Sequence, residues 1–392
     1  MATNKGKLNG MTRREFLRVA AAVAGASTFG ALAAACSAPQ PPATAAPTAV
    51  PQSAATTAPT AVPTIVQSQS LTDIFMQVNN DYQETVQKQW VPAIEKVLPV
   101  KIYVEPGVSA DAMAKMRAEK SNPKHHIMMM DAPIVAQAKK EDLVIPLDKS
   151  VMTNLADIFP SYIVEDGYGV GIGAGGMGIT YYTKAPKLTS WADLWKPDFK
   201  GKVSPPAFTT SNGVCFWVMA GAVKSGKSVQ EAQHDPDACF AGMQDLKPNI
   251  HSFWSNDAQQ YQLMSTGELW YMGAANTKGT FQNQAKGLNI DWIEPKEGAF
   301  QLLNSATVVK GSSSEKLAMQ VLNMMISADL LAAVDTVLFL GPTNSKVKLP
   351  DNVASKVPTS PEAVARLIKL DWNWISSQRS AWTDRWNKEI AK

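Results

Sequence analysis

One short stretch fits the pattern of a phosphate-binding loop. Residues 221–228 read GAVKSGKS and match G-x-x-x-x-G-K-[ST] at all four required positions. Such a loop cradles phosphates only between a buried strand and a long helix. Here the preceding stretch begins with the cap-forming pair Ser211-Asn212 and has the length of a helix, and Asp235-Pro236 starts a new helix soon afterwards. The sequence therefore predicts a turn between two helices and no nucleotide binding at Lys227.

Two adjacent pairs have side chains that bind metals in other proteins. Tyr181-Tyr182 and His125-His126 both lie in predicted strands, where neighbouring side chains point to opposite faces. Four histidines in the whole chain do not make a metal cluster. We expect packing roles for both pairs, with no metal site and no cofactor. No G-x-S-x-G or H-E-x-x-H motif is present, so no residue set supports an enzyme.

The charge of the chain resides in its first segment. Residues 1–35 hold five of the 37 basic residues and one of the 34 acidic ones, which leaves 32 bases against 33 acids in the remainder. The formal net charge of +3 thus belongs to the N-terminal segment. We therefore expect no nucleic-acid partner.

That N-terminal segment has the pattern of an export signal. Residues 12–18 read TRREFLR, and an uncharged run from Val19 to Ala35 follows, too short and too weakly apolar for a membrane span. The arrangement resembles a twin-arginine signal. Residues 32–36, LAAAC, resemble a lipobox, although the leucine stands four positions before Cys36 instead of three. We predict a signal over 1–35 and lipidation of Cys36; cleavage nearby to give an unanchored protein is the alternative.

Residues 36–70 contain no charged and no aromatic side chain and are rich in Pro, Ala and Thr. A segment of this composition buries too little apolar surface to offset its ordering entropy, so we predict a disordered tether. Proline favours extended backbone at roughly 3 Å per residue, which gives a spacer of up to about 100 Å. An exported protein anchored by Cys36, periplasmic or at the cell surface, is the localisation that these two segments predict.

The remaining 322 residues alternate between strand-like and helix-like segments. LTDIFMQV predicts a strand, and the helix after it carries Tyr82, Val86, Trp90, Ile94 and Val97 on one face. This order predicts an α/β fold with parallel-rich sheets and helices on both faces. Apart from Cys36, the chain has two cysteines, Cys215 and Cys239. Export permits a disulfide between these two, and two buried free thiols are the alternative.

Several passages resemble a known family. SNPKHHIMMMDAPIVAQAKKEDLVIPLD, SWADLWKPDFKGKVSPP, GELWYMGAA and IEPKEGA occur in this order and are similar to the extracellular solute-binding proteins of ABC importers, in the branch of the spermidine/putrescine-binding proteins. The resemblance implies a type II fold of two α/β lobes, joined by two crossing segments, with ligand in the cleft between them. The expected lobes are residues 71–175 with 292–345 and residues 176–291 with 346–392. It also implies a monomer that delivers a small solute to membrane permease subunits.

The expected ligand-binding residues follow strands or start helices, where open parallel sheets bind ligands and helix N-termini offer unpaired N–H groups. They are Asn80, Asp81, Tyr82, Asp131, Thr209, Ser211, Asn212 and Asn276, together with Gln301. The segment 168–183 carries six glycines in one crossing segment, and we interpret it as a hinge.

The substrate is where this sequence departs from the polyamine branch. The resemblance implies an acid after the strand ELWYM and a Trp and an Asp after P-K-E-G, but the chain has GAAN at 273–276 and QLLN at 301–304. Few carboxylates suit a ligand with at most one positive charge, because an unpaired buried ammonium is costly. We expect a receptor for a small polar solute. The alternatives are a polyamine receptor and a sensory or scaffold lipoprotein of the same fold.

Overall fold

A mixed β-sheet of nine strands runs through residues 71–391, the part of the chain that the structure, a computed structural model, describes. The predicted signal over 1–35, Cys36 and the predicted tether over 36–70 lie outside these residues. The strand order is β2-β1-β3-β9-β5-β7-β6, and β4 and β8 also pair with β5. The strands are β1 Thr72–Asn79, β2 Val100–Gly107, β3 Ile127–Asp131, β4 Ile163–Val164, β5 Gly169–Tyr182, β6 Val203–Ser204, β7 Tyr271–Asn276, β8 Ile290–Ile293 and β9 Phe300–Val308.

Helices connect these strands and cover the sheet. The α-helices are α1 Gln83–Glu95, α2 Ser109–Ala118, α3 Ala132–Lys140, α4 Ser211–Ser225, α5 Val229–Ala232, α6 Pro236–Leu246, α7 Ala258–Ser265, α8 Thr277–Ala285, α9 Glu315–Met325, α10 Ala328–Leu338, α11 Asp351–Ala354, α12 Pro361–Ala365 and α13 Trp372–Glu389. Short 3-10 turns lie at Asn80–Tyr82, Thr153–Asp157, Pro160–Tyr162, Glu165–Gly167, Trp191–Trp195, Pro197–Phe199 and Lys247–Asn249.

The first hydrophobic core forms around the parallel strands β1, β2 and β3. Strand β3 is apolar on both faces because helices and loops cover both sides, and residues 127–130 are fully buried. Helix α1 buries Val86, Trp90 and Ile94, which recur every four residues. The prediction that Val97 continues this face is wrong: α1 ends at Glu95, and Val97 is 66% exposed.

The second core is rich in aromatic rings. The Trp217 ring on α4 lies 5.3 Å from Phe208, 5.3 Å from Phe240 on α6 and 4.7 Å from Trp382 on α13, measured between ring centroids. Aromatic pairs at such separations add to the free energy of simple burial. The last helix is therefore packed into the second core.

Strands β5 and β9 are the two crossing segments. Ala174 on β5 and Ala306 on β9 belong to the first core, whereas Met177 and Phe300 on the same strands belong to the second. Val364 packs in the first core and Ile368 in the second, so the chain passes back before α13. The predicted lobe ranges assign Phe300 to the first lobe and Val364 to the second. In the structure, Phe300 packs in the second core and Val364 in the first. Those ranges remain a prediction.

The glycines of β5 lie in regular strand backbone. None of the six glycines between 169 and 178 adopts a positive φ. They leave room for close neighbours instead: a Cβ on Gly173 would lie 2.8 Å from Leu340 Cδ1 and 2.9 Å from Tyr82 Oη. A Cβ on Gly178 would collide with the carbonyl oxygen of Ile293 on β8. The structure gives these glycines a packing role that sequence reasoning did not anticipate.

The GAVKSGKS stretch ends in a turn between two helices, as predicted, because residues 221–225 belong to α4 and the turn follows them. Helix α4 ends where Gly226 adopts a left-handed conformation (φ 71°), the single turn α5 follows, and Asp235 caps α6 by accepting a hydrogen bond from the Ala238 N–H at 3.1 Å. Lys227 Nζ forms an ion pair with Asp235 at 2.7 Å. The segment therefore has the geometry of a helix–helix connection, not of a phosphate loop.

Cys215 and Cys239 are both buried and free. Of the two alternatives that the sequence left open, the structure shows two buried thiols and no disulfide between them. Burial raises the pKa of each thiol well above its usual value, so both are neutral at physiological pH.

Replacing Gly178 by Ala should lower the free energy of unfolding by about 1–3 kcal/mol, because the new methyl group would push strand β8 away from β5. Gly169→Ala is the matched control on the same strand, since its Cβ would meet only the Val135 and Val164 side chains, the nearest atom at 3.1 Å. Urea unfolding measures both variants. Equal losses for the two would contradict the packing role.

Candidate functional site

The ends of strands from both cores meet at one polar site. Strand β1 leads into the turn Asn80–Tyr82, and strand β3 ends at Asp131, the residue before helix α3. From the second core, β7 leads directly into α8 through Asn276, whose Oδ1 accepts a hydrogen bond from the Gly279 N–H at 2.7 Å. An ion pair between Lys278 on α8 and Asp81 joins the two groups. Carboxyl ends of strands and helix N-termini thus meet here, at the kind of position where the sequence analysis expects ligand binding, and that these residues bind a ligand remains a prediction.

A bulge in β7 sets the position of this helix start. Ala274 has a φ of 47°, an uncommon conformation for a residue with a side chain. It is the extra residue where the pairing shifts between Gly178 and Ile179 on β5. Its carbonyl oxygen accepts a hydrogen bond from Asn212 Nδ2 at 2.7 Å, which ties the start of α4 to the bulge. The predicted residue Asn212 therefore uses its amide N–H to hold the site together.

Lys278 is the charged group that sequence reasoning missed. The residue is only 5% exposed, and its Nζ lies 4.7 Å from the centroid of the Tyr82 ring, a cation–π geometry. Its partner Asp81 keeps about half of its side chain exposed. The buried ammonium thus has a carboxylate on its solvent side and an aromatic face against it.

Two further carboxylates lie within electrostatic reach of this ammonium. Burial raises the pKa of Asp131, although the charge of Lys278 and the hydroxyls of Ser109 and Ser211 act in the opposite direction. Burial likewise raises the pKa of Asp257, again against the charge of Lys278. Sequence reasoning also missed Asp257. Its position before helix α7 was a signal, since Asp favours helix starts.

A cleft of about 300 Å³ opens beside Asp131. The predicted residues Ser211, Asn212 and Gln301 line it, and so do residues 371–373 at the start of α13. The N-terminal ends of α3 and α4 border this cleft and favour negative charge or hydrogen-bond acceptors there. Gln301 Nε2 is buried and has no hydrogen-bond partner among residues 71–391. The cleft therefore offers donors to a ligand.

The predicted residues fall into three groups. Asp81, Tyr82 and Asn276 are next to Lys278, while Asp131, Ser211, Asn212 and Gln301 line the cleft. Asn80 and Thr209 lie on the same turns as their neighbours but are exposed to solvent. The start of α4 is capped by Thr210, whose Oγ1 accepts a hydrogen bond from the Gly213 N–H at 3.0 Å, and not by Ser211 or Asn212.

A group of buried polar side chains lies near the Tyr82 hydroxyl. Asp335 on α10 is fully buried, and neither of its carboxylate oxygens has a hydrogen-bond partner within the described part of the chain. Burial raises the pKa of this carboxyl well above its usual value, which favours the protonated form. The charge of an ionised Asp335 would raise the pKa of the Tyr82 and Tyr162 hydroxyls, which are also buried.

The histidine pair has structural partners. His125 Nδ1 lies 3.0 Å from Glu119 Oε2 and its Nε2 lies 3.0 Å from Glu105 Oε2, while His126 Nδ1 accepts a hydrogen bond from the Phe75 N–H at 3.1 Å. Between Leu71 and Ala391, no group of three or more His, Cys, Asp or Glu side chains could hold a metal ion.

Over residues 71–391, no single helix is both long enough and apolar enough to cross a membrane. Only α9 and α10 taken together, bent by 63°, have the length and composition of a span.

The comparisons with known proteins decide the family. The family model for bacterial extracellular solute-binding proteins matches residues 89–360. The chain belongs to this family. A curated relative, the spermidine/putrescine-binding periplasmic protein of Escherichia coli (strain K12), is 25% identical over 232 residues, which cover 56% of this chain and 64% of the relative. The match thus spans less than two thirds of that relative's length.

Solved structures show the same fold. An ABC transporter substrate-binding protein from Bradyrhizobium japonicum superposes with a TM-score of 0.70 at 20% identity, covering 81% of this chain and 99% of its own. A spermidine/putrescine ABC transporter substrate-binding protein from Streptococcus pneumoniae gives a TM-score of 0.65 at 15% identity, with the same coverages. The fold is the two-lobed type II fold that the sequence predicted, and the family is that of bacterial extracellular solute-binding proteins.

Asp335→Asn should make the protein more stable at neutral pH. Because burial raises the pKa of Asp335, the folded chain keeps a proton that the unfolded chain loses at about pH 4, and stability falls as the pH rises above that value. Asn has no proton to lose, so the variant should decline less between pH 4 and pH 8. Urea unfolding across this range measures the effect. The control is Asp329→Asn, an exposed position on the same helix; a decline in Asp335→Asn equal to that of the control would contradict the buried neutral carboxyl.

Proposed function

We propose that this chain is the substrate-binding lipoprotein of an ABC importer, which captures a small polar solute by closure of its two lobes and delivers it to permease subunits. The observation that carries the proposal is the cleft of about 300 Å³ at the junction of the two cores, lined by Asp131, Ser211, Asn212 and Gln301. Family membership supports the transport role. The proposed lobes are the ranges given above, and the protein is proposed to act as a monomer.

The polarity of the cleft favours a ligand with few positive charges. Helix starts and the Gln301 amide offer hydrogen-bond donors, which suit carbonyl, hydroxyl or carboxylate oxygens. The positions where the polyamine branch would carry acids hold the amides Asn276, Gln301 and Asn304. A solute with at most one positive charge fits this set. We keep a polyamine receptor as the second candidate, because curated relatives are named for spermidine and putrescine.

Mass spectrometry of the solute released from gently purified protein identifies the ligand directly. Deletion of the gene should abolish uptake of that solute, and growth should return when the free nutrient is supplied at high concentration. Uptake that persists without the protein would contradict the importer role and favour a sensory or scaffold lipoprotein.

Spermidine should bind weakly. Unpaired ammonium groups buried in such a cleft cost several kcal/mol each, which is about a thousandfold in affinity. Tryptophan fluorescence titration with spermidine should therefore show no saturation at micromolar concentrations. Micromolar binding that is lost in Asp131→Asn would establish the polyamine receptor instead.

Membrane attachment should depend on Cys36, which lies outside the described residues. Cys36→Ser should move the protein from the membrane fraction to the soluble fraction and abolish labelling with palmitate, because the thiol receives the lipid. Cys215→Ser is the control, since that buried thiol has no part in anchoring. A Cys36→Ser variant that still sediments with membranes and takes up the label would refute the lipid anchor.

A further inference from the structure

The position of Lys278 is electrostatically unfavourable by itself. It is the second residue of α8, where the helix dipole presents its positive end, and its side chain is almost fully buried. Removing an ammonium from water without a paired anion is costly. A lysine is retained here only because surrounding groups compensate for both effects.

The compensating groups come from separate segments and together form a binding site for an ammonium group. The Asp81 carboxylate pairs with Nζ, the Tyr82 ring presents its face at 4.7 Å, and the charge of Lys278 acts on Asp131 and Asp257. A carboxylate beside an aromatic face is what a primary ammonium requires when it leaves water. These groups contact the ammonium itself, so they would accept an ammonium carried by a ligand as well as one carried by a lysine side chain.

This ammonium site opens towards solvent at the junction of the two cores. Asp81 is about half exposed, and Asp131, on which the charge of Lys278 acts, lines the cleft that the proposed function assigns to the solute. The ammonium site therefore adjoins this cleft at Asp131, whereas Lys278, Asp81 and Tyr82 are not among the residues that line it. Lys278, which fills the site, comes from the second core. The Tyr82 ring and the carboxylates of Asp81 and Asp131 come from the first core. The ion pair therefore also bridges the two cores.

We propose that Lys278 occupies, from within the chain, the position beside this cleft at which the primary ammonium of a ligand would otherwise bind, and that it thereby determines specificity against polycations. The inference rests on the proposed function, because the ammonium site adjoins the same cleft at Asp131. With Lys278 in place, the Asp81 carboxylate and the Tyr82 ring are already paired with a cation. Without Lys278, they form an acidic site with an aromatic wall next to the cleft.

The test compares binding of putrescine to the full-length wild-type protein and to Lys278→Ala by isothermal titration calorimetry. The wild type should bind putrescine no more tightly than millimolar, and Lys278→Ala should bind it at least about tenfold more tightly, because the freed carboxylates and the ring accept its ammonium. Lys278→Arg keeps a cation in the site and should behave like the wild type. Adding Asp81→Asn to Lys278→Ala should remove the gain.

Lys224→Ala is the matched control, because Lys224 pairs with Asp245 on the surface, away from the cleft. Lys224→Ala should bind putrescine no more tightly than the wild type does. Methylammonium chloride should raise the melting temperature of Lys278→Ala more than sodium chloride does, whereas the wild type should not distinguish the two salts. If Lys278→Ala does not fold, Lys278→Gln replaces it in the same two measurements.

Folded Lys278→Ala or Lys278→Gln protein that responds to putrescine and methylammonium as the wild type does would overturn the inference. That outcome is separable from failure of the proposed function, which is decided by the released solute and by uptake in the deletion strain. Micromolar putrescine binding by the wild type would also overturn the inference, while leaving an importer role intact.

Discussion

Strand β5 is the constraint on which both cores depend. It bonds to β9 along one stretch and to β7 and β8 along another, so its backbone fixes the register of strands that belong to different cores. Such pairing demands close approach on both sides, and Gly173 and Gly178 leave the space for it. Because β7 is held in this register, the start of α8 comes to lie against the turn after β1. The meeting of Lys278 and Asp81 is a consequence of that pairing.

The alternating pattern was enough to predict β1, β3 and α1 of the first core, since short apolar runs and the buried stripe of α1 are local features of the sequence. One expectation failed for a physical reason, and one packing role was missed, while the hinge in residues 168–183 stays a prediction. Val97 has the spacing of the α1 stripe, but the helix ends before it. A glycine in a strand can be present because it is conformationally free or because it is small, and sequence alone does not show which property the β5 glycines supply. Their packing role became visible only when the neighbours Leu340 and Ile293 were placed.

The candidate site was partly predictable, because ligand-binding positions follow strands and begin helices. This rule selected Asp81, Tyr82 and Asp131, which the structure brings close to one buried charge. It did not select Lys278, whose partner Asp81 lies almost two hundred residues earlier in the chain, or Asp257, which lies within electrostatic reach of Lys278. A usable signal was present: a lysine in the first turn of a helix opposes the dipole, and such local inconsistencies concentrate at functional sites.

Tyr82 lies near two carboxyl groups in different surroundings. Its ring face meets the Lys278 ammonium, which pairs with the half-exposed Asp81. Its hydroxyl and Asp335 Oδ1 both lie next to Gly173, and burial raises the pKa of Asp335 well above its usual value. Ionisation of Asp335 would add a second buried anion near the hydroxyl with no hydrogen-bond donor to stabilise it among residues 71–391. The negative charge near Tyr82 therefore rests mainly on Asp81, and Lys278 offsets part of it. A solute that binds beside Asp131 experiences the combined field of Lys278, Asp81 and Asp131, so the balance of these three charges determines which solute charge is favoured.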